Sequence, residues 1–466
     1  MGCGDAFGGT GTSMHRLVFE PQISYRNSGC CVVAPSYSRA ASPVAESVAN
    51  CATFAVSSGS PFIKALLAHP GTQYSAQLAR QLHRRNCLHR FWTSFALPEN
   101  SLIEQTLRRY MRTPPSWLGN RVVDHVPGDK IRTVPRLELL ALLRQKFGTE
   151  AQIALHERND NFQRAIPDDE IAQSDVVVGF DTSSSILADR AAEARRALIL
   201  DQTIAHPGSK NRVYESIKKQ FPDWSDDLEV RAASVGAAED AEHRKANRIV
   251  AASSFTKSTL VENGVPAEKI LLNPYGVDLR RFSFSERSRS GRPFRFLFAG
   301  LVCARKGIPL LLQAWAALGR KDAELWIVGP ITPTAASKVL KNGRVKVVGK
   351  VPNTELATIM SESEVFVFPS YFEGFALVLL EAMASGLPVI TTTATAGPDI
   401  TTPGEDGWVI EPGKLDALIE AMRFCLENRD RVTEMGANAR RTAERFSWDA
   451  YGDRWVTILQ GVVKTT

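Results

Sequence analysis

Two glutamates with a glycine between them are the first residues whose types and spacing could do chemistry. They lie in Phe368-Pro-Ser-Tyr-Phe-Glu373-Gly374-Phe375-Ala376-Leu377-Val-Leu-Leu-Glu381-Ala-Met-Ala-Ser-Gly386. Glu373 follows Val365-Phe-Val-Phe368, an apolar run that reads as a buried strand. Glu381 falls two turns into a helix expected over 376–385, stopped by Gly386 with Pro388 just beyond. Eight residues at helical rise separate the two carboxylates by about 12 Å. That is close to the span from the sugar to the ribose of a nucleotide sugar. The helix N-terminus between them offers free N–H groups and a positive dipole end, which suit a diphosphate. Gly374 lets the backbone come close to a ligand. Either glutamate alone reads as a solvated carboxylate; the pair in this strand–loop–helix setting carries the reading.

The elements that must position these residues alternate between strand and helix. Ala65-Leu-Leu-Ala68 is an apolar run ending at His69-Pro-Gly71, and 73–85 follows with helical spacing. Further strands are expected at 91–97, 175–180, 197–200 and 249–253, and in the second half at 294–299, 325–328, 345–348, 365–368 and from Val389. Helices are expected over 307–318 and from Asn353, read as an N-cap, through Met360. The pattern predicts an α/β protein of two doubly wound, Rossmann-like domains with ligand at the carboxyl ends of the strands. The first spans 61–285 and the second 292–445, with a polar boundary near 282–291 and a last helix over 446–466.

Composition limits the function classes. The 466 residues are 44% hydrophobic and 23% charged, as in ordinary globular proteins, and no run of eighteen apolar residues occurs. Residues 1–60 are rich in Ser, Ala and Gly, lack Lys and have weak periodicity, so they read as a disordered extension. Organelle targeting by this segment stays open. Seven cysteines without metal-ligand or C-x-x-C spacing argue against a disulfide or zinc framework and for a reducing compartment. Residues 76–146 hold 13 Lys/Arg against 5 Asp/Glu, densest at Arg84, Arg85, Arg90, Arg108, Arg109 and Arg112. This stretch reads as a solvated surface, or as contact with an anionic acceptor or membrane through 80–112; nothing supports nucleic acid. No P-loop, zinc-protease, serine-hydrolase or EF-hand motif is present.

The segment around Glu373 and Glu381 resembles the Glu–seven residues–Glu motif of retaining, nucleotide-sugar-dependent glycosyltransferases of the GT-B fold, family four (glycosyl transferases group 1). The resemblance covers about 65–460. Phe296-Leu-Phe-Ala-Gly300-Leu-Val-Cys-Ala-Arg305-Lys306-Gly307 is similar to the family's strand, glycine turn and basic pair. Asn273-Pro-Tyr-Gly276-Val-Asp278, Ser253-Ser-Phe255-x-Lys257 and Phe446-Ser-Trp448 resemble its interdomain element, strand-end serines and returning last helix. The resemblance implies a hexosyltransferase using a UDP-, GDP- or ADP-sugar, with no bound metal and no other cofactor. Glu373 is implied to hold the donor sugar, and Lys306 with Arg305 to neutralise the diphosphate. Glu381 is implied to take the ribose hydroxyls. The amides of Phe375, Ala376 and Leu377 are implied to bind phosphate, with Gly374 part of the same donor site, and Gly71 to meet the donor from across the cleft. His206 stands where the family places a first-domain histidine near acceptor and sugar, ahead of His69. The base pocket is implied around Gly329 and 348–351. Leu301 departs from the family's arginine, and Ala376 from a second glycine. A sugar-nucleotide epimerase on the same fold and a non-catalytic nucleotide-sugar binder are the alternatives. The acceptor (glycan, lipid or small molecule) is not legible, and a cytoplasmic place with membrane association is expected.

Overall fold

The computed structural model describes residues 63–71, 74–99, 121–228, 230, 232–284, 292–340 and 345–465. The expected extension over 1–60, Arg108, Arg109, Arg112 and most of the 282–291 boundary lie outside them. Two parallel sheets organise the rest. The first has seven strands: β1 (Ala65–Ala68), β2 (Leu88–Thr93), β5 (Ile131–Thr133), β6 (Val176–Phe180), β7 (Ala197–Gln202), β8 (Arg248–Ala251) and β9 (Ile270–Leu272). Their spatial order is β5-β2-β1-β6-β7-β8-β9. A short pair, β3 (Leu97–Pro98) and β4 (Val122–Val123), stands apart. The second sheet holds β10 (Phe294–Ala299), β11 (Ala323–Val328), β12 (Val345–Gly349), β13 (Val365–Phe368), β14 (Val389–Thr392) and β15 (Gly407–Ile410), ordered β12-β11-β10-β13-β14-β15.

The central strands are apolar along their whole length because helices cover both faces. β1, β6, β13 and β14 are buried at every position. Strand order reverses between β1 and β6 in one sheet and between β10 and β13 in the other. Crevices at these reversals, beyond the strand ends, are where doubly wound sheets bind ligands. Residues 69–71, 181–182, 300 and 369–377 all follow those four strands.

The Trp448–Thr465 helix returns to the first sheet's side and packs on the Ser75–Arg84 helix. Two buried hydrogen bonds from Arg454, to Asn273 Oδ1 and the Pro274 carbonyl at 2.7 Å each, fix the Asn273–Asp278 element against it. Tyr74, Tyr275, Trp448 and Tyr451 form an aromatic cluster at the junction. Arg84 and Arg85 pair with Asp449 and Asp453 at 2.8 and 2.7 Å, and Arg90 lies 3.7 Å from Glu170. Arg84, Arg85 and Arg90 are therefore neutralised by the protein's own acids. Sequence separation hid this, since the partners of Arg84 and Arg85 come some 360 residues later.

Two local expectations need correction. Asn353 is the first helical residue of Asn353–Ser361, and Pro352 occupies the cap with no side-chain bond. The helix after Glu373 begins at Val378, not Ala376, and ends at Ala384. Ala376 has φ of 69°, a left-handed conformation that cannot continue a helix. Glu381 is thus in the first turn, and the separation of the two carboxylates is not a straight helical rise.

Candidate active site

One cleft, lined from both sheets, gathers Gly71, Arg305, Lys306, Glu373, Gly374, Phe375, Ala376, Leu377 and Glu381. Gly300, Gly329, Pro330, Lys350 and Val351 line it too, at the place expected for the base. From the first sheet come His69, Arg158, Asn159, Asp181 and Thr182.

Glu373 sits at the centre of a buried charge group. Its Oε1 is 2.8 Å from Arg305 Nη1 and 2.6 Å from Lys306 Nζ, and it accepts a 2.7 Å bond from the Ser370 hydroxyl. Arg305 also donates to the Phe372 carbonyl. Burial alone would raise the Glu373 pKa, but the two cations reverse this and hold it below the usual carboxylate value. Burial pulls Lys306 below its ordinary pKa despite Glu373. For Arg305, burial acts downward and Glu373 more than offsets it. The group holds two cations and one carboxylate, leaving one net positive charge facing the cleft. Gly307, at φ of 76°, makes this packing feasible: a Cβ there would stand 2.0 Å from the Pro369 carbonyl oxygen.

The turn Gly374–Leu377 presents its backbone to the cleft. The N–H groups of Phe375, Ala376 and Leu377 have no acceptor among the described residues. Three free donors in one turn beside two cations are the arrangement that suits an anion. The close approach that requires Gly374 is to the protein itself: a Cβ there would lie 2.0 Å from the Thr203 carbonyl oxygen across the cleft. The Gly374 carbonyl accepts bonds from the Ser253 and Thr256 hydroxyls, the latter at 2.9 Å. Ser253 also caps the Ser254–Glu262 helix, so the strand-end serines tie the first sheet to the loop. Alanine in a left-handed conformation costs about 1 kcal/mol. Ala376→Gly is therefore expected to raise the unfolding free energy by no more than about 1 kcal/mol in urea melts, with the turn retained.

Glu381 is partly buried in the cleft wall, and desolvation raises its pKa to about 7, against a small opposing effect of Arg281. His69 is buried with neither ring nitrogen hydrogen-bonded. Burial, then Arg158 and Arg121, lower its pKa to about 3, so it is neutral. An orphaned, neutral imidazole in a cleft has room for a ligand's hydroxyl.

His206 is not in this cleft. It caps the Pro207–Gln220 helix, its Nδ1 accepting from the Gly208 N–H at 3.0 Å. Its Nε2 lies 3.4 Å from Asp240, in a separate pocket with His243. The three residues between β7 and His206 carry it past the strand end, and Pro207 starts a helix that turns the ring away. His206, Asp240 and His243 are close enough to share a cation. However, the Gly208 bond leaves the His206 proton on Nε2, donated toward Asp240, so the ring does not fit a metal-ligand tautomer. Two described histidines line the cleft, His69 and His156, and of these His69 is the one that follows a strand.

The sequence reading passed over Asp181, Thr182, Arg158 and Asn159. Asp181 and Thr182 directly follow β6, a strand at the switch point, and that position was the available signal. Arg158 and Asn159 lie on the Ala151–Ala165 helix, where only packing reveals them. Glu242 holds the Thr182–Ser184 turn by accepting from both amides, at 2.8 and 2.6 Å.

Comparison with known proteins agrees with this geometry. Residues 293–428 match the family Glycosyl transferases group 1. An MMP alpha-(1->4)-mannosyltransferase from Mycolicibacterium hassiacum is 27% identical over 279 residues, 58% of this chain and 67% of that protein. A GDP-mannose-dependent monoacylated alpha-(1-6)-phosphatidylinositol monomannoside mannosyltransferase from Corynebacterium glutamicum is 31% identical, over 40% of this chain and 55% of that protein. The chain thus spans between about half and two thirds of these relatives. Among solved structures, Anabaena HepE with UDP and glucose aligns at a TM-score of 0.58 and 15% identity, covering 86% of this chain and 100% of that one. Sucrose-phosphate synthase from Thermosynechococcus elongatus aligns at 0.59 and 18%, covering 87% and 100%. Residues 293–428 thus carry the match to the group 1 glycosyl transferases, and the chain has the GT-B fold.

Proposed function

We propose that the protein transfers a hexosyl unit from a nucleotide diphosphate sugar to an acceptor, with retention at the anomeric carbon and without a bound metal. The Glu373–Arg305–Lys306 group beside the free amides of Phe375, Ala376 and Leu377 carries this reading. Cations and amides converge where a diphosphate leaving group gains charge, and electrostatic help of this kind is catalytic. Glu373 sets the two cations in place and is the carboxylate nearest them; the donor sugar is assigned to its side of the turn. Glu381, on the far side of the turn, takes the ribose hydroxyls. His69, with a free nitrogen lone pair, serves the donor sugar or the acceptor hydroxyl. The relatives named for mannosyl transfer and the UDP-bound structural neighbour support a UDP-, GDP- or ADP-sugar as donor. A front-face displacement is the working mechanism. Among the described residues no helix is long and apolar enough to cross a membrane; action on a lipid or glycan acceptor at the cytoplasmic face of a membrane is part of the same reading.

A screen of nucleotide sugars with nucleotide release as readout tests this proposal. Slow hydrolysis of one donor in the absence of acceptor is expected, and no release from any donor would overturn it. The reading also predicts a pH effect. Ribose hydroxyls donate to an ionised carboxylate, so donor binding requires Glu381 to lose its proton. Because its pKa stands raised at about 7, acidification below that value should raise the donor KM. The limiting slope is roughly tenfold per pH unit. Glu381→Gln should raise KM and flatten this profile while kcat changes little. A profile identical to the parent's would remove Glu381 from the nucleotide site.

A further inference from the structure

The Pro135–Lys146 helix is apolar on the side it turns away from the protein. Its inward face, with Ala141 buried, packs on the Ala151–Ala165 helix. At about 100° per residue, Leu139, Leu143 and Phe147 form one outward row, with Leu140 and Leu142 flanking it. Phe147 is 82% exposed, Leu139 59% and Leu142 58%. Surface helices of soluble proteins place polar residues on this arc, and a contiguous apolar patch marks an interaction site.

The charges on the helix are sorted as well. Arg136 and Lys146 are exposed on the outward arc. Exposed Arg144 pairs with Glu157 of the neighbouring helix. The acidic Glu138 turns inward, where it accepts from Arg121 at 2.8 Å and Arg158 at 2.9 Å. The outward arc therefore combines Leu and Phe with cations and carries no acid. That combination suits acyl chains below anionic headgroups. Arg84, Arg85 and Arg90, by contrast, are paired internally and leave no comparable face.

The place of the helix adds to this. The Ala151–Ala165 helix beneath it contributes Leu155, His156, Arg158 and Asn159 to the first-sheet wall of the cleft. Leu155 is itself exposed and lines the cleft. We propose that the outward face of the Pro135–Lys146 helix docks on an anionic lipid surface. Docking there sets the first-sheet wall of the cleft beside the headgroups, where a lipid-borne acceptor would enter. The docking itself does not depend on the glycosyltransferase reading.

Vesicle flotation of the full chain tests the proposal, using phosphatidylcholine alone and phosphatidylcholine mixed with phosphatidylglycerol. The protein is expected to float with the anionic vesicles and to release as salt rises. The triple variant Leu139→Ser, Leu143→Ser, Phe147→Ser changes only exposed side chains, so its melting curve should match the parent's. It should lower vesicle partition by at least about tenfold. Arg136→Gln with Lys146→Gln should lower it by about fivefold per cation, on anionic vesicles only. Absence of flotation in the parent, or parental flotation in the triple variant, would overturn the proposal. So would a triple variant whose mass in light scattering falls to half the parent's, because a second copy of the chain would then be the occupant. Nucleotide release in solution is unaffected by any of these results, so the two readings fail separately.

Discussion

Lys306→Ala is expected to lower kcat by about 10²–10³-fold while the donor KM changes much less. The reason is where the charge grows. As the bond to the diphosphate breaks, negative charge accumulates on the leaving oxygens, so a cation there contributes more in the transition state than in the ground state. Lys306 is held for this by Glu373 at 2.6 Å and lies over the Phe368 ring at 4.9 Å, with its side chain largely buried. Leu301, partly exposed at the cleft edge of the glycine turn, supplies no second cation from that side. Of the two cations on Glu373, Arg305 remains after the substitution, and it is already committed to Glu373 and the Phe372 carbonyl. The variant should stay folded, because Arg305 and Ser370 continue to satisfy Glu373. Steady-state kinetics with the donor found in the screen, alongside a thermal melt, decide the matter. Near-parental kcat in a folded variant would move the chemistry away from this group.

Gly374→Ala should damage both stability and turnover. The added Cβ would meet the Thr203 carbonyl oxygen at 2.0 Å, its carbon at 2.9 Å and Ile204 Cα at 3.0 Å. All three are backbone atoms of the first sheet's side, so no flexible side chain can yield. The turn must withdraw, and it carries Glu373 on one side and the three free amides on the other. Overpacking of this kind costs typically 1–3 kcal/mol, that is, ~1–3 kcal/mol in unfolding free energy by urea titration. A shift of the turn by about 1 Å is enough to cost roughly 10²-fold in kcat/KM. The Ser253 and Thr256 bonds to the Gly374 carbonyl would be lost in the same movement. A variant with parental melting and activity would show that the turn tolerates separation from Thr203, and that its fit to the first sheet does not position the site.

What could be read along the chain was local and periodic. Runs such as Val365–Phe368 and Val176–Phe180 are apolar at every position because they are covered on both faces, and that pattern needs no knowledge of the partner. Their alternation with helices was enough for two parallel doubly wound sheets, and the Glu373–Glu381 segment was enough to locate one wall of the cleft. Tertiary structure decided what depends on residues far apart. Gly374 is required by the Thr203 carbonyl, 171 positions earlier in the chain by the numbering of the contact. Glu373 is bound to Arg305 and Lys306 rather than standing alone, since strands β10 and β13 are neighbours in the sheet although six other elements separate them in sequence. His206 and His69 both follow strands, and spacing cannot tell which one faces the cleft. The helix beginning at Pro207 turns the first away, whereas His69 follows β1 at the strand reversal and stays. The arginines of the basic stretch looked free because the acids that neutralise two of them arrive only with the last helix. Local pattern reflects burial and backbone preference, which a few neighbours determine; contact between distant side chains follows from how strands order in a sheet, and that order is a property of the whole fold.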